Sequence, residues 1–314
     1  MKKFLIKVIV FSLLFFAFDK AFLFVRDILP ENDTLDNRLD FVFRGEVNKD
    51  LILMGSSVGD TDLLPHLFQD SLKLSTYNLS YGAASVTFQK FVLENLLKYN
   101  TKPKVIIKLI TNDTEFYGNS GVNAMGFRLD RLYPIIKYKE VRDQLMLRED
   151  VNPIMSKFMV LSHFKKQHII DLLKPKKEHG NYYKKFGTEV FEDRHDSLGK
   201  WNYNKNPKYD FAQENKAFIH DFIEFQKLCK KNDIVLIYAV TPTYRALNKE
   251  WLEIVKNNLL ESTNLYIYDY SNKAYENKFN FADPLHMNPK GAKIYTNELI
   301  KFTRNILQSN MVFN

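Results

Sequence analysis

Leu51-Ile52-Leu53-Met54-Gly55-Ser56-Ser57 is an apolar run that stops at a glycine and a pair of serines. A continuous apolar run this short, bounded by turn residues, reads as a strand buried on both faces. Gly55 permits a sharp turn, so Ser57 arrives at the carboxyl edge of that strand. The signature then repeats. Leu74 to Leu79 reads as a second strand, and Val105 to Ile110 as a third after the Lys102-Pro103 break. Ile234 to Val240 is a fourth, ended by Thr241-Pro242, and Leu265 to Tyr270 a fifth. Helical stretches alternate with them: Leu63 to Leu72, Val86 to Tyr99, and a closing Asn288 to Leu307. In the second of these, Phe88, Val92, Leu93, Leu96 and Leu97 share one side. Helices alternating with buried strands predict an α/β fold with a mostly parallel sheet covered on both faces.

Residues 115–217 break this rhythm. They are rich in Lys, Tyr, Asn and Asp, and the strand pattern resumes after them, so they read as an insertion between the third and fourth strands. An insertion after a strand's carboxyl end lies over the crevice of such folds and suits a substrate lid or groove. No internal repeat or low-complexity tract is present.

At the amino end, Lys2 and Lys3 precede Phe4 to Phe18, apolar except for Lys7 and Ser12, and Ala21 to Val25 is apolar again after Asp19-Lys20. This approaches the ~20 residues that span a hydrocarbon core. The lysines predict an inside amino end, and no small-x-small cleavage site follows. Residues 1–27 are therefore expected to be an uncleaved, single-pass transmembrane signal anchor, with the rest outside the cytoplasm. Residues 28–48 are expected to be a juxtamembrane linker and residues 49–314 the folded domain.

The 314 residues, 45% hydrophobic and 26% charged, are those of a globular chain. The net charge of +8 comes from scattered Lys and Arg without a nucleic-acid motif, so an anionic envelope surface suits it better than nucleic acid. The single cysteine, Cys229, excludes an internal disulfide and reads as a small buried hydrophobe. No histidine pair has ligand spacing beside a carboxylate, so neither a metal nor a cofactor is expected.

The chemistry is clearest in Ala282-Asp283-Pro284-Leu285-His286-Met287-Asn288-Pro289-Lys290-Gly291. A nucleophilic serine needs a general base, and the base needs an acceptor on its far nitrogen. Asp283, on a turn stiffened by Pro284, can reach the Nδ1–H of His286 while Nε2 points outward. Of the seven histidines, only His286 has such a partner in a loop just before a helix. His66 could line a cleft near Ser57, though packing suits it better. Ser57 has two readings from the residues alone, a nucleophile or the cap of the following helix.

Gly55-Ser56-Ser57 resembles the first block of the SGNH (GDSL-like) hydrolases, with the middle residue of Gly-Asp-Ser replaced. Asp283-Pro284-Leu285-His286 and its trailing Asn-Pro-Lys-Gly resemble the last. The resemblance runs from about residue 50 to 305 and implies a flavodoxin-like three-layer sandwich with Ser57, His286 and Asp283 as a catalytic triad. It also implies oxyanion donors. Gly82, in Asn78-Leu79-Ser80-Tyr81-Gly82-Ala83, is the best match to the second block, and Asn112, in Ile110-Thr111-Asn112-Asp113, stands where the third has Gly-x-Asn-Asp. Asn112 has a competing reading as an Asx turn after a strand.

With a membrane anchor, the chain is similar to periplasmic proteins of the bacterial cytoplasmic membrane that decorate surface polysaccharides beside a multipass membrane acyltransferase. The implied substrate is an acyl ester or glycan, with water (esterase) or a sugar hydroxyl (O-acetyltransferase) as acceptor. A silent SGNH-like polymer-binding module is the alternative. Trp201 and Tyr203, in a polar run, are candidates for stacking on sugar.

Overall fold

The computed structural model describes residues 1–28, 36–118, 127–132, 135–148, 159, 180–188 and 201–312. They fall into two compact units, Met1–Asn37 with Arg128–His179, and Arg38–Phe127 with Gly180–Asn314.

The larger unit is an α/β fold around a five-stranded, all-parallel sheet, with strands β1 (Leu51–Met54), β2 (Thr76–Asn78), β3 (Val105–Thr111), β4 (Val235–Thr241) and β5 (Thr263–Ile267) in the order β2-β1-β3-β4-β5. Every residue of β1 and β3 is buried, as a sheet covered on both faces requires. Successive side chains of a strand point to opposite faces, which places the covering helices. Tyr238 of β4 stacks on Phe222 of the helix Lys216–Lys231, at 4.3 Å between centroids, and donates its hydroxyl to the Phe222 carbonyl. Tyr266 of β5 lies in register with Ala239, one step along, and packs on Tyr295 and Phe302 of the helix Pro289–Val312. These two helices therefore lie on opposite faces. The arrangement is consistent with a flavodoxin-like sandwich, whose order reverses between β1 and β3.

The first of the remaining helices is α1 (Lys2–Ile28), followed by α2 (Arg38–Arg44), α3 (Ser57–Thr61), α4 (Pro65–Leu72), α5 (Val86–Tyr99), α6 (Leu129–Leu132), α7 (Lys139–Arg148) and α8 (Asn181–Phe186). The two covering helices are α9 (Lys216–Lys231) and α11 (Pro289–Val312), with α10 (Lys249–Asn257) between them.

Of two expectations about the amino end, one needs correction and the other lacks support. Residues 38–44, expected as linker, form α2, with Leu39, Val42 and Phe43 buried and Phe43 packed on Phe91 and Tyr99 of α5. The Asp- and Asn-rich stretch before it masks this apolar face in the sequence. Arg38 is buried with it, donating to Asp60 at 3.0 Å and to the Gly187 carbonyl at 2.6 Å. The second concerns the transmembrane helix over residues 1–27. Among the described residues no helix is long and apolar enough to cross a membrane, so that expectation lacks support. Lys7, Asp19 and Lys20 interrupt the apolar run, and Asp19 is buried and paired with Lys20 at 3.0 Å.

About half of the expected insertion lies outside the described residues. Its two ends meet at the carboxyl end of β3, where Tyr117 and Glu214 form an antiparallel bridge and Asn215 N–H donates to the Phe116 carbonyl.

Candidate active site

Ser57 opens α3 at the carboxyl end of β1, beside the reversal of strand order, where open parallel sheets place their sites. Glycine at position 59 lets that helix approach the chain after β2: a Cβ there would lie 2.4 Å from Ser80 Oγ. Asn78 closes the same junction, donating to the Gly59 carbonyl and accepting from Ser80 N–H.

The histidine arrives from the other end of the chain. The loop from 281 to 287 is pinched by a bridge between Phe281 and Met287 and by Ala282 N–H donating to the His286 carbonyl. Asn288 then caps α11, accepting from the Lys290 and Gly291 N–H groups. Pro289 fits the first helical position, and a Cβ on Gly291 would collide with the Asn280 carbonyl at 2.2 Å. The Asn-Pro-Lys-Gly run is thus the local code that fixes where His286 stands.

The three expected residues meet there. Asp283 Oδ2 lies 2.8 Å from His286 Nδ1, and His286 Nε2 lies 2.7 Å from Ser57 Oγ. The other carboxylate oxygen of Asp283 accepts from the Leu285 and His286 N–H groups at 2.7 and 2.9 Å. With Asp283 ionised, Nδ1–H donates to it and Nε2 is left to accept the serine hydroxyl. Partial burial pushes the Asp283 carboxyl up, but the hydrogen bonds from His286 and from the backbone outweigh it and hold the group below the ordinary range. Burial would lower the basicity of His286; the Asp283 hydrogen bond and the charges of Asp62 and Asp283 outweigh it, so His286 is raised.

Beside Ser57 a cleft of about 180 Å³ is lined by apolar Ala83, Val86, Phe218 and Leu285 and by polar Thr114, Glu115 and Tyr117. Glu115 belongs to a buried ion pair with Lys108 of β3, at 2.6 Å, and also accepts from the Thr111 N–H. Burial lowers the Lys108 ammonium, and Glu115 opposes that.

The expected oxyanion donors fare unequally. Gly82 sits in a turn closed by Ala84 N–H donating to the Tyr81 carbonyl, and the next two residues, Ala83 and Ala84, line the cleft. Ala83 takes the left-handed backbone (φ 59°) at that point. Asn112 is buried and its side chain is used elsewhere. The amide donates to Thr243 Oγ1 and the Ala246 carbonyl, and the oxygen accepts from Asn248 N–H. Asp113 reinforces this through Arg245, at 3.1 Å. Asn112 and Asp113 therefore brace the loop after β4, in which Tyr244 N–H donates to the Pro284 carbonyl of the histidine loop.

Trp201 and Tyr203 pack edge-on against Tyr244, with centroids at 4.9 and 5.3 Å, and Tyr244 packs on Phe281. Both stay half-exposed beside the histidine loop, outside the cleft wall. His66 hydrogen-bonds Tyr182 at 2.6 Å, and Cys229 is buried with its thiol pushed up to about 12. His163, His168, His179 and His195 lie outside the described residues, and among those described no cluster of His, Cys, Asp and Glu could hold a metal ion.

Sequence reasoning missed Asp62, the residue that caps α3. It is fully buried, accepts from Met287 N–H at 3.0 Å and from the Thr241 hydroxyl at 3.1 Å, and burial pushes it up to about 7 against the opposing charge of His286. Nothing local in Gly59-Asp60-Thr61-Asp62 marks it, because these partners come from distant segments. No protein-family model matches this chain, and no curated protein matches it.

Proposed function

We propose that this chain is a serine acyl-ester enzyme of SGNH type, an O-acyltransferase or esterase acting on a cell-envelope glycan or related polymer. The observation that carries the reading is the chain of contacts from Ser57 Oγ through His286 to Asp283, at 2.7 and 2.8 Å. His286 Nε2 takes the Ser57 proton as Oγ attacks the ester carbonyl, and Asp283 steadies the imidazolium. The tetrahedral intermediate collapses to an acyl-enzyme, and His286 returns the proton to the departing alcohol. Water or a sugar hydroxyl then attacks the acyl carbon by the same route in reverse. Ser57 N–H and the turn at Gly82 receive the oxyanion, each such donor contributing about 2.7–4 kcal/mol.

The same proposal seats the chain at the bacterial cytoplasmic membrane, with the residues after the amino-terminal helix outside the cytoplasm. Its support is the apolar surface of α1, where Phe4, Phe11, Leu13, Leu14 and Phe18 are each more than 60% exposed, with Lys2, Lys3 and Lys7 at its amino end. A multipass membrane acyltransferase as acyl supplier belongs to this reading.

The engagement of Asn112 favours a second reading, a silent polymer-binding module, because an expected oxyanion donor is spent on the loop after β4. A fluorophosphonate probe separates the two. The acyl-ester reading expects covalent labelling that is lost in Ser57→Ala, together with ester turnover, at an unchanged melting temperature. Absence of labelling in the folded wild-type chain favours the silent module.

A further inference from the structure

Asp62 is a carboxylate in a place where a carboxylate is costly. It is fully buried, and among the described residues no Lys or Arg hydrogen-bonds it. What surrounds it comes from each element packed there. Its own helix end supplies the Thr61 hydroxyl at 2.7 Å, β4 supplies Thr241, and the histidine loop supplies Met287 N–H and the His286 ring. From α11 the Thr296 hydroxyl donates to the Asp62 carbonyl, and Tyr295, whose own hydroxyl donates to the Val240 carbonyl, feels its charge. Among the described residues, the ionisable group that favours the anion is His286.

Geometry makes this more than a structural contact. Asp62 caps the helix that Ser57 opens, and Met287, whose N–H it holds, directly follows His286. One carboxylate thus ties the nucleophile's helix to the base's loop. Its charge also reaches the imidazole through protein, where screening is weak, whereas the Asp283 side chain is 49% exposed and partly screened by water.

We propose that Asp62 is a positioning residue of the triad, holding the His286 loop through Met287 N–H and stabilising, as a buried anion, the imidazolium formed when His286 takes the Ser57 proton. This rests on the acyl-ester reading for its catalytic consequence, but its effect on His286 is measurable without turnover. Asp62→Asn keeps an oxygen for Met287 N–H and removes the charge, so it separates the two roles.

The experiment uses the full chain, titrating the His286 imidazole by NMR and following kcat/KM for p-nitrophenyl acetate against pH. In Asp62→Asn the His286 midpoint and the acidic limb of the rate profile should both move down, with the plateau falling about 3- to 10-fold. The melting temperature at pH 8 should not fall, because the substitution removes an ionised buried group. A His286 midpoint that stays in place overturns the proposal, as does an equal loss of rate at every pH together with a lowered melting temperature. Should Asp62→Asn not fold, Thr241→Val removes one donor to the anion and should move the midpoint the same way by a smaller amount; no movement there also overturns it. A wild-type chain that turns over no ester removes the acyl-ester reading alone, and the NMR titration still decides whether Asp62 governs His286.

Discussion

Replacing Asp283 by asparagine should harm the site more than replacing it by alanine. Asp283 Oδ1 accepts two backbone N–H groups, from Leu285 and His286, while Oδ2 faces His286 Nδ1. An asparagine must keep its oxygen toward those donors, since an NH₂ group there would face them donor to donor. Its NH₂ is then aimed at Nδ1, which must accept, and the ring proton moves to Nε2. That nitrogen now donates toward Ser57 Oγ and can no longer take its proton. Loss by wrong tautomer in a serine triad is on the order of 10⁴-fold in kcat. Asp283→Ala leaves the Leu285 and His286 N–H groups to water and takes from the ring a charge-assisted hydrogen bond worth about 1.5–3 kcal/mol, roughly 10- to 150-fold in rate. The exposure of the Asp283 side chain, 49%, puts the alanine variant toward the low end, because water can replace the acceptor. The assay is kcat for p-nitrophenyl acetate at pH 8, with the melting temperature as a check of folding. An asparagine variant within tenfold of wild type, or one more active than the alanine variant, would refute the assigned roles of the two carboxylate oxygens.

Glu115→Gln should strand the Lys108 ammonium by removing its one carboxylate partner among the described residues, at a site with 0% exposure, and cost about 3–5 kcal/mol in urea unfolding. The double variant Lys108→Met/Glu115→Gln should recover most of that loss, and no recovery would deny the pairing. Cys229, buried in α9 with its thiol raised to about 12, should resist a thiol reagent in the native chain and react once the chain is unfolded. Fast native labelling would contradict its burial.

Legibility in the sequence followed the range of the interactions. The strand β1 and the helix α5 lie where the apolar patterns put them, because both patterns report burial directly. The pairing of Asp283 with His286 was legible too: all the side-chain hydrogen bonds of Asp283 end within three residues, on Leu285 and His286. Local turn chemistry writes such contacts into consecutive letters. The helix α2 was missed because the polar residues before it carry no trace of the α5 surface on which Phe43 packs.

What the sequence by itself determined is a parallel α/β fold, with a serine at one strand end and an Asp-His pair before the last helix. Only the tertiary structure decided the rest, since the deciding partners lie far apart along the chain. Ser57 and His286 are 229 positions apart and meet because parallel strands deliver their carboxyl ends to one edge. Asn112 turns to Thr243, Ala246 and Asn248, and the buried Asp62 reaches across to Met287, for the same reason. A side chain's neighbours along the chain limit its conformation, but its charge state and hydrogen-bond partners are set by whatever the fold packs against it.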